Sequence, residues 1–146
     1  MNIKINIKKT DKDAILPTYG SLYAAGADLY SCSEKTEIAA GETVLIHTGV
    51  AIELPVGYVG LVYARSGLAS KRGLAPANKV GVIDCDYRGE IMVALHNHGT
   101  VAQTVEKGER IAQLVITPYL TADFCEVHEL TETVRGEGGF GSTGRK

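Results

Sequence analysis

The chain has 146 residues, one ordinary domain's worth, able to bury about two thirds of the surface its unfolded form would expose. Fifteen Lys and Arg against 17 Asp and Glu give a net charge of -2, without the basic excess that binding to free nucleic acid requires. No eighteen apolar residues follow one another and the first residues, MNIKINIKK, lack a signal-peptide core, so neither a membrane partner nor secretion is expected.

Cys32, Cys85 and Cys125 are odd in number and widely spaced, the pattern of reduced thiols in a cytoplasmic protein and not of a disulfide framework or zinc knuckle. Seventeen glycines, two phenylalanines and no tryptophan, beside many Val, Ile and Tyr, favour short strands joined by tight turns.

In chain order, Ile3, Ile5 and Ile7 alternate with Asn and Lys, which predicts an edge strand with one dry face and lysines outward. Residues 24–31, AAGADLYS, are small and apolar apart from one acid, Asp28. Residues 42–55 predict two strands parted near Gly49, and residues 57–64 another, bounded by Pro55 and Gly57. Residues 66–74, SGLASKRGL, form the one helical fragment, with Ser66 placed to cap its N-terminus and Gly73 to stop it. Residues 79–99 predict a β-hairpin turning at residues 86–89, with Asp84 and Asp86 on one face and Tyr87 on the other. Strands over residues 110–119 and 124–130 follow. Short strands at intervals of roughly 8 to 12 residues, with almost no helix, predict an all-β sandwich or jelly roll over residues 1–130.

Residues 131–146, TETVRGEGGFGSTGRK, place five glycines around one phenylalanine and a Ser-Thr pair. Glycine loses the most backbone freedom on ordering, so the segment is either a solvated end or a flexible arm that a charged, flat ligand orders. A nucleotide is such a ligand. Arg135 can take phosphate, Phe140 can cover a base, and Ser142, Thr143 and the glycine amides can donate to phosphate oxygens. The G-x-G-x-x-G spacing at Gly136, Gly138 and Gly141 is no dinucleotide fingerprint, because no strand precedes it and no helix follows.

Arg65 and Ser66 stand at the start of the helical fragment, where guanidinium, hydroxyl and amides can converge on an anion, or where Ser66 is only a cap. Gln113 and Asp28 are lone polar groups in apolar strands. Each is either a satisfied core group or part of a set that holds magnesium on a triphosphate through oxygen ligands and water. Asp84, at a strand end, can orient and deprotonate water, and Tyr87 can pack against a sugar; the other reading is a solvated Asp-rich turn. His47, His96, His98 and His128 lack a third ligand at metal spacing and read as structural or solvated.

The segments AGADLYS, ARSGLAS, NKVGVIDCDYRGEI, KGERIAQLVI and RGEGGFGSTG, in this order within residues 24–144, resemble the five motifs of the homotrimeric deoxyuridine triphosphatases. The resemblance implies a jelly-roll-like protomer, a homotrimer with shared active sites, and Mg2+-dependent hydrolysis of dUTP to dUMP and pyrophosphate. Such an activity limits uracil in DNA and supplies dUMP for thymidylate synthesis. By the same resemblance, Asp84 is the catalytic carboxylate that activates water for attack on the α-phosphorus. Tyr87 lies beneath deoxyribose and leaves no room for a 2′-hydroxyl. Asn78 matches the side chain that reads uracil, with hairpin backbone at Gly81, Val82 and Ile91 completing the contact. Arg65, Ser66, Gly67 and Gln113 match phosphate-binding positions, and Asp28 matches the acid that supports magnesium through water. Arg135, Phe140, Gly141, Ser142 and Thr143 match a flexible arm, residues 131–146, that crosses to close a site built by other subunits. Ala64 stands where the family usually has proline, which loosens the approach to Arg65 but removes no functional group. Two alternatives share the fold: a dCTP deaminase or bifunctional dCTP deaminase/dUTPase, and a non-catalytic nucleotide-binding regulatory trimer. Deaminases of that kind usually carry a second serine where this chain has Gly67.

Overall fold

The computed structural model describes residues 3–140. Its largest sheet has five antiparallel strands in the order β2 (Thr18–Tyr19), β3 (Ala27–Tyr30), β12 (Arg110–Pro118), β7 (Tyr58–Tyr63) and β9 (Gly81–Ile83). A second sheet runs β5 (Thr43–His47), β10 (Met92–Asn97), β8 (Leu74–Pro76). Two antiparallel ribbons, β1 (Asn6–Lys9) with β6 (Val50–Glu53) and β4 (Thr36–Ile38) with β11 (Gln103–Val105), complete the described strands. One helix, α1 (Ser66–Arg72), follows β7. The all-β architecture expected from the sequence is therefore the one adopted. Among the described residues no helix is long and apolar enough to cross a membrane.

The alternation of each strand decides what enters the core. In β3, Ala27 and Leu29 are buried while Asp28 and Tyr30 face outward. Leu29, Ile38, Ile46, Leu74, Leu95 and Ile111 are almost wholly buried, and each such side chain contributes roughly 1.5–3 kcal/mol by leaving water. Strand β12 breaks the rule once: Ile111 and Ala112 are both fully buried, and the register to β3 shifts between Arg110 and Ala112. This bulge inserts one residue, so Arg110 opposite Tyr30 and Gln113 opposite Asp28 share the outer face despite their odd spacing.

Four local expectations need correction. The stretch over residues 79–99 is not a hairpin, because β9 pairs with β7 whereas β10 pairs with β5 and β8. Residues 84–91 form a crossover between two sheets. Asp84, Asp86 and Tyr87 consequently lie in a turn, closed by a Tyr87 N–H bond to Asp84 O at 3.1 Å, where strand-face parity does not apply. Ser66 does not cap α1. Arg65 occupies that place with extended backbone and makes no side-chain cap bond, its guanidinium being engaged elsewhere. Gly73 does stop the helix, in the left-handed conformation at φ 67 that glycine adopts without strain. Residues 124–130 form no strand, since they pair with no strand among the described residues and Phe124 and Leu130 are exposed. Strand β1 pairs at an edge as expected, but it is exposed throughout; Ile5, just before it, packs partly against the core.

Cys32, Cys85 and Cys125 are unpaired. Burial first, then the nearby Asp11 carboxylate, pushes the Cys32 thiol above its ordinary value, which keeps it protonated and unreactive at neutral pH.

Asn97 is a fully buried polar side chain that ties three segments. Its Nδ2 donates to Ile38 O at 3.0 Å and Val101 O at 2.8 Å, and its Oδ1 accepts from Gly99 N at 2.9 Å. Asn97→Ala strands these buried groups and is expected to lower stability by about 2–4 kcal/mol, read as a fall in the urea midpoint.

Candidate active site

The expected site residues gather in two clefts. The first, about 340 Å³, lies where β9 and β10 diverge into different sheets. Asn78, Gly81, Val82, Asp84, Tyr87 and Ile91 all line it. Strand β9 is the edge of the five-stranded sheet, bonded to β7 on one side only, so backbone groups on its other side remain available to a ligand. Asn78 sits on the turn between β8 and β9, which Lys79 closes at φ 66. A Cβ on Gly81 would stand 3.2 Å from Val62 Cβ and 3.5 Å from Asn78 Nδ2, so glycine lets the amide approach the strand. Ile91 N–H donates to Val50 O and its carbonyl accepts from Thr48 Oγ1. Asp84 is exposed at the start of the crossover. Next to it Cys85 meets Tyr119, whose hydroxyl is pushed above its ordinary value by Cys85 first and by Asp84 and Asp86 further off.

The second cleft, about 300 Å³, is lined by Asp28, Arg65, Ser66, Gly67 and Gln113 together with the loop through Gly20, Ser21, Ala24 and Gly26. Arg65 Nε donates to Asp28 Oδ1 at 2.8 Å and Arg110 Nη1 to Asp28 Oδ2 at 3.3 Å. The carboxylate is thus held between two guanidiniums. Gln113 Nε2 donates to Ala64 O at 2.8 Å, which leaves its carbonyl oxygen free to face the cleft beside Gly26. Arg110 was legible only as one letter of KGERIAQLV; simple alternation puts it on the face opposite Gln113, and only the bulge reverses that.

Among the described residues no three His, Cys, Asp or Glu side chains form a metal cage. Asp28 is the acid lining the second cleft. A lone carboxylate fits magnesium, which keeps several waters and takes its other ligands from phosphates.

The two clefts share no lining residue. Val62, in the wall of the first, and Tyr63, paired with Gln113 of the second, are successive residues of β7 and point to opposite faces. Val82, which also lines the first cleft, pairs with Leu61 and so shares the face of Tyr63; the first cleft therefore wraps the free edge of β9, whereas the second lies over β3 and β12, with β7 between them. Arg135 and Phe140 line neither of them: Arg135 Nε bonds back to Gly138 O at 2.7 Å and Phe140 is fully exposed. Gly141, Ser142 and Thr143 lie outside the described residues.

A family model described as dUTPase matches residues 12–144. The chain belongs to the dUTPase family. The deoxyuridine 5'-triphosphate nucleotidohydrolase of Nautilia profundicola is 50% identical over 98% of this chain and 100% of its own length. That of Hydrogenobaculum sp. is 49% identical over 99% of this chain and 100% of its own. The solved structure of Staphylococcus bacteriophage 80alpha dUTPase with dUPNHPP matches with a TM-score of 0.90 at 32% identity, over 98% of this chain and 99% of that one. The chain is accordingly a hydrolase of nucleotide metabolism, a dUTP diphosphatase.

Gly26 has a spatial role within this dUTPase fold. A Cβ there would fall 2.6 Å from Gln113 Oε1 and 3.2 Å from its Cβ, so the side chain must move. Gly26→Ala is expected to displace the Gln113 amide and lower kcat/KM for dUTP about tenfold or more, measured by pyrophosphate release.

Proposed function

We propose that the protein hydrolyses dUTP to dUMP and pyrophosphate in sites assembled between copies of the chain. The nucleoside occupies the cleft between β9 and β10 of one copy, and the triphosphate occupies the Asp28–Arg65 cleft of a neighbour. One observation carries this reading: the two clefts share no lining residue and lie apart on the sheet, one at the free edge of β9 and one over β3 and β12 with β7 between, so one chain alone does not offer both to one nucleotide. A homotrimer meets the requirement, because a head-to-tail interface closes into a ring. Leu120, Phe124, Leu130 and Val134 are exposed along the C-terminal segment, which supports cover by a neighbouring copy. Residues 1–130 then serve as the catalytic domain and residues 131–146 as the arm over a neighbour's site, bringing Arg135, Phe140, Gly141, Ser142 and Thr143 to the nucleotide.

In this mechanism the Asp84 carboxylate orients a water in line with the leaving pyrophosphate and takes its proton as the water attacks the α-phosphorus. Asn78 and the free edge of β9 hold uracil, and the Tyr87 ring lies beneath deoxyribose. Arg65, Ser66, Gly67 and Gln113 hold phosphate oxygens, so catalysis is positional and electrostatic, without a covalent intermediate. Arg65 is paired with Asp28 before substrate arrives, which keeps the guanidinium preorganised in the cleft. Magnesium, supported by Asp28 through water, supplies charge neutralisation on the phosphate oxygens when bound. In a cytoplasmic setting this reaction limits uracil incorporation into DNA and provides dUMP for thymidylate synthesis.

Pyrophosphate release from dUTP, dTTP, dCTP and UTP, with magnesium and with a chelator, tests this reading. Only dUTP with magnesium is expected to turn over well; ammonia released from dCTP would favour the deaminase instead. In the same assay Asp84→Asn should lower turnover about 100-fold or more while binding of dUPNHPP persists. Near-normal release by that variant would remove Asp84 from the chemistry.

A further inference from the structure

Behind Tyr87, residues 90 and 91 are stitched to the corner between β5 and β6. Glu90 Oε1 accepts the Gly49 N–H at 2.7 Å, and Glu90 Oε2 lies 3.1 Å from His47 Nδ1. Thr48 Oγ1 donates to Ile91 O at 2.5 Å, and Ile91 N donates to Val50 O at 2.8 Å. The corner itself is fixed, since Gly49 has φ 69 and a Cβ there would lie 2.7 Å from Ala14 Cβ.

On the cleft side of the same residue, the Tyr87 hydroxyl donates to Glu90 O at 2.9 Å. The Tyr87 ring rests on Gly89, where a Cβ would come within 2.5 Å of Cζ. Glu90 lines both the nucleoside cleft and the polar cleft behind it, formed by Thr10, Asp11, Cys32, Ser33 and His47. It is the partition between them. Its backbone carbonyl holds the tyrosine while its carboxylate holds the corner.

We propose that Glu90 is a positioning residue for sugar selectivity. Anchored to Gly49 and His47, it fixes the carbonyl that holds the Tyr87 hydroxyl, and so fixes how closely the ring approaches C2′ of the sugar. The proposal rests on the reading that Tyr87 lies beneath deoxyribose. Without the carboxylate, residues 90 and 91 keep only the Ile91 bonds to Val50 O and Thr48 Oγ1; the tie of Glu90 to Gly49 is lost, and the ring can tilt away and admit a 2′-hydroxyl. Asp84 precedes the turn and makes no bond to Glu90, so turnover of dUTP is largely retained. A gap of a fraction of an ångström matters here, because rejection of one extra hydroxyl by shape alone depends on the wall not yielding.

The test is kcat/KM for dUTP and for UTP in the full-length wild type and in Glu90→Ala, Glu90→Gln, Tyr87→Phe and the Tyr87→Phe/Glu90→Ala double variant. Glu90→Ala should lower the dUTP-over-UTP ratio about tenfold, with kcat on dUTP within about threefold of wild type. Glu90→Gln, whose amide oxygen can still accept from Gly49, should keep the ratio within about threefold. The double variant should lose no more selectivity than the poorer single variant, because both changes act through one hydrogen bond. An unchanged ratio in Glu90→Ala, or additive losses in the double variant, overturns the proposal. Should Glu90→Ala fail to fold, Glu90→Asp, too short to reach both partners, carries the same expectation. Tyr87→Ala separates the two readings: an unchanged ratio there defeats the placement of Tyr87 under the sugar. A collapsed ratio there beside an unchanged one in Glu90→Ala defeats only the role of Glu90.

Discussion

The outer face of the five-stranded sheet is organised by one carboxylate that cannot stand alone. Asp28 is only 13% exposed, and a carboxylate so far withdrawn from water needs countercharge and hydrogen bonds. Arg65, arriving from the end of β7, and Arg110, at the start of β12, provide both. The second arginine reaches Asp28 because the bulge after Arg110 reverses the parity of β12; a regular strand would turn that side chain to the opposite face. The pairing joins β3, β12 and the entry to α1. At the other end of the helix, Arg72 bonds to Gln103, Glu109 and the Thr104 carbonyl, so a helix of only seven residues is held at both ends by side chains and not by its own propensity.

The crossover at residues 84–91 gives the free edge of the sheet, at β9, its character. A hairpin would satisfy its backbone groups internally. Here the two flanking strands leave for different sheets, and the gap between them is the first cleft, with the unpaired edge of β9 along one wall. Glycine occupies the places where neighbouring side chains need the room: Gly26 beneath Gln113 and Gly89 beneath Tyr87. Both clefts are complete as surfaces within one chain, yet they lie apart, with β7 between them. Assembly, in the reading favoured above, brings one to the other without rebuilding either.

Much of this could be read along the chain because it depends on near neighbours. The break at Gly49, the stop at Gly73 and the run of residues 110–118 are set by side-chain period and by glycine's access to positive φ. So were the residue types from which each cleft is built, since chemistry at a site is a matter of composition. By itself, then, the sequence determined the all-β class, several strand and turn boundaries, and the family to which the chain belongs.

Only the tertiary structure decided which strands are partners. It separated β9 from β10, left residues 124–130 without a partner strand among the described residues, placed Arg65 and not Ser66 at the head of α1, and turned Arg110 onto Asp28. Each outcome turns on hydrogen bonds or ion pairs between residues distant in sequence. Alternation along one strand specifies its two faces but not its neighbours, and a single bulge inverts every inference of face beyond it.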